Sequence, residues 1–276
     1  MAELYAGIRA KDRGVDPRPF YRQALESLTR VAELAPGFAI SHQPLGYGWL
    51  VLGEYEATQG IDPRPSLARA MASYRRGLAI DPSIALLHHH LAYAQVQAAT
   101  WEAGHGEDPR PALREAVASY GRAIALDPPT VSVYSNLGNA WAIAGQYELD
   151  HGLDPRPALD RAVDAYRRSL VLQPDYATAH ENLGAVLALR SLYEVKAGLD
   201  PRRSLDLARE SVQASLRLNG EDAFAWSNLG SIALYRADWQ AAHAEDPGAA
   251  LAAARQAFAR ALALDPLAQR EIAELR

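Results

Sequence analysis

A four-residue segment, Asp-Pro-Arg-Pro, recurs in this chain at a fixed interval of 46 residues. The four intact copies and two variants (Asp-Pro-Arg-Arg and Asp-Pro-Gly-Ala) begin at Asp16, Asp62, Asp108, Asp154, Asp200 and Asp246. Copies at one interval indicate a tandem array, in which each unit is too small to bury its own core and must stack on its neighbours. We therefore predict a repeat protein rather than independent globular domains.

Each repeat reads as a pair of helices. In the fourth repeat, apolar residues at helical spacing predict a helix over residues 130–151, and Gly152 can adopt the left-handed conformation that ends it. Proline in the turn at Asp154 blocks continuation of the helix. A second apolar stripe predicts a helix over residues 158–172, which Pro174 ends. Strand-like alternation is absent from the sequence, so the predicted fold class is all-α.

The residues of this repeat resemble the tetratricopeptide repeat family. The resemblance is carried by Leu137-Gly138, Trp141, Ala162, Tyr166 and Pro174, whose types and order match the family signature over 34 residues. The extra length of each repeat falls between Trp141 and Ala162, which predicts extended first helices. Long repeats with an Asp-Pro-Arg-Pro turn are also similar to regions attached to bacterial serine/threonine protein kinases, although no kinase motif stands in this sequence.

The resemblance implies one right-handed α-solenoid of antiparallel helix pairs, a superhelix like that of tetratricopeptide proteins, over residues 1–276. The predicted units span residues 1–36 (partial), 37–82, 83–128, 129–174, 175–220 and 221–266, with a terminal cap helix at 267–276. Because the first unit is incomplete, we expect the chain to be a piece of a larger protein.

Composition argues against several classes of function. The net charge is −5, which gives no reason to expect nucleic acid or an anionic membrane as partner, and no apolar run is long enough to span a membrane. There is no cysteine, so disulfides and thiolate metal sites are excluded. The sequence offers no nucleophile–base pair and no phosphate loop. We predict a non-enzymatic, cytoplasmic protein without cofactor or metal.

Two recurring features have a structural and a functional interpretation. The aspartates of the turns are expected to cap the second helices and to pair with arginines between adjacent repeats, although an arginine-lined edge could also dock an acidic partner. His88-His89-His90 suggests metal binding, but consecutive helical side chains point about 100° apart and cannot converge on one ion. His42 lies one repeat before His88, which favours a packing position.

In tetratricopeptide proteins the first helices line a concave groove that holds partner peptides. The resemblance therefore implies groove positions here, although ordinary polar surface is the alternative for any one of them. The candidate groove residues are Tyr47, His89, His90, Tyr93, Asn136, Asn139, Glu181, Asn182 and Asn228.

Some members of the family clamp a carboxylate-rich peptide end with lysine, arginine and asparagine side chains. Asn139 and Asn182 match the two amides, but Ser135, Phe224 and Asn228 stand at the basic positions, so strong carboxylate capture is not expected. We predict a scaffold that binds a protein or peptide in the groove, and the favoured context is the regulatory part of a larger bacterial signalling protein. Self-assembly through repeat faces is the alternative.

Overall fold

The structure, a computed structural model, describes residues 1–265. All regular secondary structure in this range is helical, and consecutive helices pack in antiparallel pairs, so the predicted all-α solenoid class is confirmed. The chain separates into two compact units, which meet in sequence at Pro129 and Thr130. The single solenoid over 1–276 stays a prediction, and the predicted cap helix at 267–276 lies outside the described residues.

The first unit contains one incomplete and two complete helix pairs. Its helices are α1 (Ala2–Asp12), α2 (Arg18–Leu34), a 3₁₀ turn (Ala39–Ser41), α3 (His42–Thr58), α4 (Arg64–Ile80), α5 (Ala85–Gly104) and α6 (Arg110–Leu126). The first helix of the repeat 37–82 begins late because Pro44 lies in its first turn, where a missing backbone N–H is tolerated. Its core is formed by residues such as Leu67 and Tyr74 on α4 and Leu87 and Leu91 on α5.

The second unit contains three complete helix pairs. Its helices are α7 (Val131–Asp150), α8 (Arg156–Leu172), α9 (Ala177–Lys196), α10 (Arg202–Leu218), α11 (Ala223–Ala242) and α12 (Gly248–Leu264). The first helix of each pair has 20 residues and the second has 17, which confirms the extended first helices. One core cluster runs from Leu159 on α8 through Leu183 on α9 to Ile232 on α11.

The repeated turn is a local structure closed within each repeat. Asp154 Oδ1 accepts hydrogen bonds from the backbone N of Arg156 at 3.0 Å and from its Nε at 2.9 Å. The expectation that these aspartates pair with arginines of adjacent repeats is wrong, because the first five pair with the arginine two residues later in their own turn. Asp246 has no such arginine and accepts from the backbone N of Gly248. Arg64 additionally reaches the next repeat, where it makes an ion pair with Glu107 at 2.9 Å.

A glycine precedes this turn and ends each first helix except the last. As predicted, Gly152 is left-handed, with φ 68°, and the equivalent glycines have φ between 67° and 76°. In the last repeat Ala244 takes this conformation, with φ 58°. The chain reversal between the two helices of a repeat is therefore set by the left-handed residue and by the aspartate turn that follows it.

The glycine of each Leu-Gly pair lets two helices approach closely. A Cβ atom on Gly138 would lie 2.6 Å from Cε1 of Tyr166, and one on Gly46 would lie 2.4 Å from Cε1 of Tyr74. Both tyrosines are fully buried on the second helices. The family signature is thus a steric match between a missing side chain and a large ring.

The histidines at the repeat junctions pack structurally. The Nε2 atom of His88 lies 3.0 Å from the carbonyl oxygen of Pro82, and that of His180 lies 2.8 Å from the carbonyl oxygen of Pro174. Because a carbonyl can only accept, Nε2 carries the proton in both rings. Trp226 donates in the same way to Gly220, so this position fastens the start of a first helix to the preceding junction.

Candidate functional site

In the first unit, rings on the first helices pack against one another and against tyrosines of the second helices. The ring of His90 on α5 lies 6.1 Å from that of Tyr47 on α3 and 5.6 Å from that of Tyr74, measured between centroids. His89 lies against His90 at 5.5 Å and against Tyr120 at 5.9 Å. Four of the predicted groove positions thus lie in one region of α3 and α5, and three of them contribute rings to this cluster.

Burial and mutual contact set the charge state of this cluster. Burial, together with the neighbouring His89, lowers the pKa of His90 to about 4, and burial also lowers the pKa of His89. Tyr93 donates a hydrogen bond of 2.9 Å to Oε1 of Glu54, whose pKa is raised by burial. The histidines are therefore neutral near pH 7, and the polar groups of Tyr93 and Glu54 satisfy each other.

The second unit places asparagines on its first helices. Asn139 Oδ1 on α7 accepts hydrogen bonds from the hydroxyl of Tyr166 at 2.6 Å and from Nδ2 of Asn182 at 3.1 Å. This contact joins α7, α8 and α9. The predicted positions Asn139 and Asn182 are brought together, but their polar atoms are used in joining the repeats. Asn136 lies one helical turn before Asn139.

An open groove crosses α7, α9 and α11 of the second unit. Its volume is about 480 Å³. Its lining is mostly apolar or small, and none of the residues that line it carries a charge: Ala142, Ile143, Gln146, Ala185, Val186, Ala188, Leu189, Phe224, Ser227, Asn228, Ser231 and Tyr235. Phe224 is 48% exposed, so much of its ring faces solvent. This lining suits an apolar side chain of a partner.

Asn228 is the predicted position that lines the groove. Its Nδ2 atom is buried and has no hydrogen-bond partner within the described residues. A buried donor without an acceptor is costly. A small rotation of the Asn228 side chain that lets Nδ2 donate to an acceptor on a ligand would therefore be favoured.

Acidic groups lie at one end of this groove. Glu181 stands one helical turn before Ala185 on α9, and Asp222 caps α11 by accepting a hydrogen bond from the backbone N of Ala225 at 3.0 Å. Burial and, secondly, the charge of Asp222 raise the pKa of Glu181 to about 7. The end of the groove is thus electrostatically unfavourable for a further carboxylate.

Sequence reasoning missed most of the groove lining. The predicted positions cluster around the Leu-Gly pairs in the first two turns of each first helix. On α7 and α9 the groove lies about one to two turns further along, for example at Ile143 and Leu189, whereas on α11 it runs from Phe224 in the first turn to Tyr235. Continued counting in steps of three and four from Asn139 and Asn182 reaches Ile143 and Leu189, so the helical period contained this signal.

Two other kinds of site are absent from the described residues. Within residues 1–265, no helix combines the length and apolar character that a membrane span requires. In the same range, no group of three or more histidine, cysteine, aspartate or glutamate side chains is arranged to hold a metal ion.

Solved structures share this architecture. PilF of Pseudomonas aeruginosa aligns with a TM-score of 0.57 and 16% identity, covering 100% of this chain and 96% of that one. TTC0263, a thermophilic TPR protein of Thermus thermophilus, aligns with a TM-score of 0.52 and 18% identity over 83% of this chain and 96% of its own. YrrB, a TPR protein with an unusual peptide-binding site, gives 0.50 and 16% over 88% and 94%.

The fold is therefore that of tetratricopeptide repeat proteins. No protein-family model matches the sequence, and no curated protein matches it. At 16–18% identity the likeness concerns the backbone, so function must be argued from this chain's own side chains.

Proposed function

We propose that this chain is a non-catalytic protein-interaction scaffold and that the groove of its second unit binds a peptide segment of a partner protein. The observation that carries the proposal is the open, uncharged groove across α7, α9 and α11, with Phe224 exposed in it. Exposed aromatic rings that become buried on binding supply much of the affinity of peptide sites. The predicted groove position Asn228 supplies a polar contact beside that ring.

The two units differ in what they offer a partner. In the first unit, His90 packs against Tyr47 and Tyr74, and Tyr93 is bonded to Glu54. A peptide would have to break these contacts before it could form contacts with the same side chains. In the second unit the lining leaves a volume of about 480 Å³ unfilled, so binding there needs less rearrangement.

The test is selection from a displayed library of random twelve-residue peptides, followed by fluorescence anisotropy with the enriched sequences. Replacing Phe224 by alanine should weaken binding at least about tenfold, since a buried phenylalanine contributes about 1.5–3 kcal/mol. The matched control is Val171→Ala on α8, where the side chain is 80% exposed and lies outside the groove lining. Failure to enrich any peptide, or equal binding by the Phe224→Ala variant, would reject the proposal.

Self-association is a second candidate, favoured by exposed aliphatic residues at helix ends in each unit. The second helices end in a leucine or isoleucine that is 42–71% exposed: Leu34, Ile80 and Leu126 in the first unit, Leu172 and Leu218 in the second. Sedimentation equilibrium tests this directly. A mass that rises with concentration in the unaltered chain, and returns to the monomer value in a Leu34→Glu, Ile80→Glu variant, would support it. A monomer at every concentration would reject it.

The repeated Asp-Pro-Arg-Pro turn is the feature that suggests a biological context for the chain. Because the Asp-Pro-Arg-Pro repeats are similar to regions attached to bacterial serine/threonine kinases, we propose that the scaffold serves a larger cytoplasmic signalling protein. Reading the encoding gene beyond both ends of this sequence tests the idea. A reading frame without any kinase or other signalling domain on the same polypeptide would contradict it.

A further inference from the structure

The hydrogen bond between asparagines that joins α7 and α9 has no equivalent for Asn228 on α11 within the described residues. Asn182 and Asn228 occupy equivalent positions 46 residues apart, on α9 and α11. Asn182 donates to Asn139 on the preceding first helix at 3.1 Å. The residue equivalent to Asn139 in the next repeat is Ala185, which has no acceptor on its side chain. This replacement explains why Nδ2 of Asn228 is left without a partner among the described residues.

A second substitution accompanies the first. Tyr166 donates its hydroxyl to Asn139, and the residue equivalent to Tyr166 in the next repeat is Val212. Both members of a polar pair have thus become apolar in the same repeat. Ala185 lines the groove, so the missing asparagine removes the acceptor for Asn228 and leaves a small side chain in the groove wall.

The two acidic side chains at the end of the groove also lack an ion-pair partner among the described residues. Neither Glu181 nor Asp222 makes a salt bridge to a residue within the described range, and the aspartate uses one oxygen to cap α11. From Asp222 to Asn228 is six helical residues, a rise of about 9 Å, which an extended peptide covers in roughly three residues. A cationic side chain close in sequence to an apolar one could therefore reach both features.

We propose that this groove selects peptides in which an apolar residue is followed or preceded within about three residues by a lysine or arginine. The apolar side chain packs on Phe224 and Leu189, a peptide carbonyl accepts from Asn228, and the cation pairs with Glu181 and Asp222. This inference rests on the proposed peptide-binding function and adds the chemistry of the partner. It predicts selectivity opposite to that of a groove built to hold carboxylates.

The experiment measures three matched series of fluorescein-labelled twelve-residue peptides. Each carries a fixed Phe-Leu pair and, within three residues of it, either lysine, glutamine or glutamate. We expect the lysine series to bind at least about tenfold more tightly than the glutamine series, and the glutamate series most weakly. In a Glu181→Gln, Asp222→Asn variant the lysine preference should vanish, and asparagine still caps the helix. Glu210→Gln on α10 is the control for charge alone and should preserve the preference.

A further variant tests the missing asparagine. Ala185→Asn supplies the acceptor that Asn228 lacks and narrows the groove at position 185, so it should weaken binding of all three series while leaving the chain at least as stable to heat. Equal affinity for the lysine and glutamine series, or undiminished binding by Ala185→Asn, would overturn the inference. Library peptides that bind without enrichment of basic residues would also overturn it, while leaving the proposed function intact. If no library peptide binds at all, the proposed function itself fails.

Discussion

The two units of the molecule use one repeated backbone to make two different surfaces. In the first unit, His90 packs between Tyr47 and Tyr74 on the first-helix side. In the second, alanine and serine take the places of rings, and Phe224 is left exposed beside an open groove. The helix pairs are built alike in both, so a few side chains at equivalent positions decide whether the surface is filled or open.

The core below these surfaces varies in a matched way. Tyr166 faces Gly138, and in the next repeat Val212 faces Gly184, with the nearest atom only 2.4 Å from a hypothetical Cβ. Repetition of the backbone therefore does not require repetition of the core residue, provided that one partner stays small. Such compensation lets a solenoid change its surface without losing its helix pairing.

The largest effect is expected from filling one of these contacts. Gly138→Ala would place Cβ 2.6 Å from the Tyr166 ring, and such overpacking costs about 1–3 kcal/mol. Better helix propensity returns about 1 kcal/mol, so the net loss should be up to about 2 kcal/mol. Chemical denaturation measures the loss. Hydrogen exchange should show it first in α7 and α8, because coupling in repeat proteins is between neighbours.

The first unit provides the matched control. Ala92 stands at the equivalent position before Tyr120 and is fully buried, so the repeat has accommodated a Cβ there. Ala92→Gly should cost no more than about 1 kcal/mol, mainly through helix propensity. Uniform loss of hydrogen-exchange protection from α1 to α12 in Gly138→Ala would contradict coupling between neighbours.

The helices were well predicted from the sequence because the same pattern of apolar residues, glycine and proline recurs in successive repeats. The helix predicted over 130–151 is observed at Val131–Asp150. The helix predicted from 158 begins at Arg156, since proline is acceptable in a first turn where its missing N–H has no partner. The division of the helices into two units at Pro129 was not predictable from a period that runs unchanged through it.

The candidate site was less predictable than the fold. Asn139 and Asn182 were predicted as groove positions from their place on the first helix, but they hydrogen bond to each other. Whether an asparagine is paired depends on the residue 43 positions away, as the pairs Asn182–Asn139 and Asn228–Ala185 illustrate. A reading of one repeat at a time cannot find such a relation, whereas comparison of neighbouring repeats can.

The next largest effect is expected from replacing Asn182, and comparison with Asn228 tests whether pairing depends on the residue 43 positions away. Asn182→Ala removes a hydrogen bond to Asn139 and should cost about 0.5–1.5 kcal/mol. Asn228→Ala removes a buried donor that has no partner among residues 1–265, so its unfolding free energy should be unchanged or slightly raised. Urea denaturation of both variants makes the comparison. Equal losses would mean that the two asparagines have the same environment, contrary to the structure.

A smaller gain in stability is expected just after α11, where alanine takes the place of the left-handed glycine that follows the other first helices. Ala244 holds φ 58°, whereas its counterpart in the first unit, Gly106, holds φ 76° without a side chain. A left-handed alanine costs about 1–2 kcal/mol, part of which glycine loses again through its freedom in the unfolded chain. Ala244→Gly should therefore stabilise by about 0.5–1 kcal/mol, measured by thermal unfolding. Gly106→Ala is the matched reverse and should destabilise by a similar amount.

The smallest expected effect depends on pH and belongs to the acidic end of the groove. Burial and Asp222 raise the pKa of Glu181 from 4.5 to about 7, so the folded chain holds this proton more tightly than the unfolded chain does. The resulting stabilisation is present below about pH 4.5 and is lost as pH rises through 7. Glu181→Gln should thus melt above the unaltered chain by up to a few °C at about pH 8, with a much smaller difference at about pH 5. A constant offset between Glu181→Gln and the unaltered chain at both pH values would contradict this prediction.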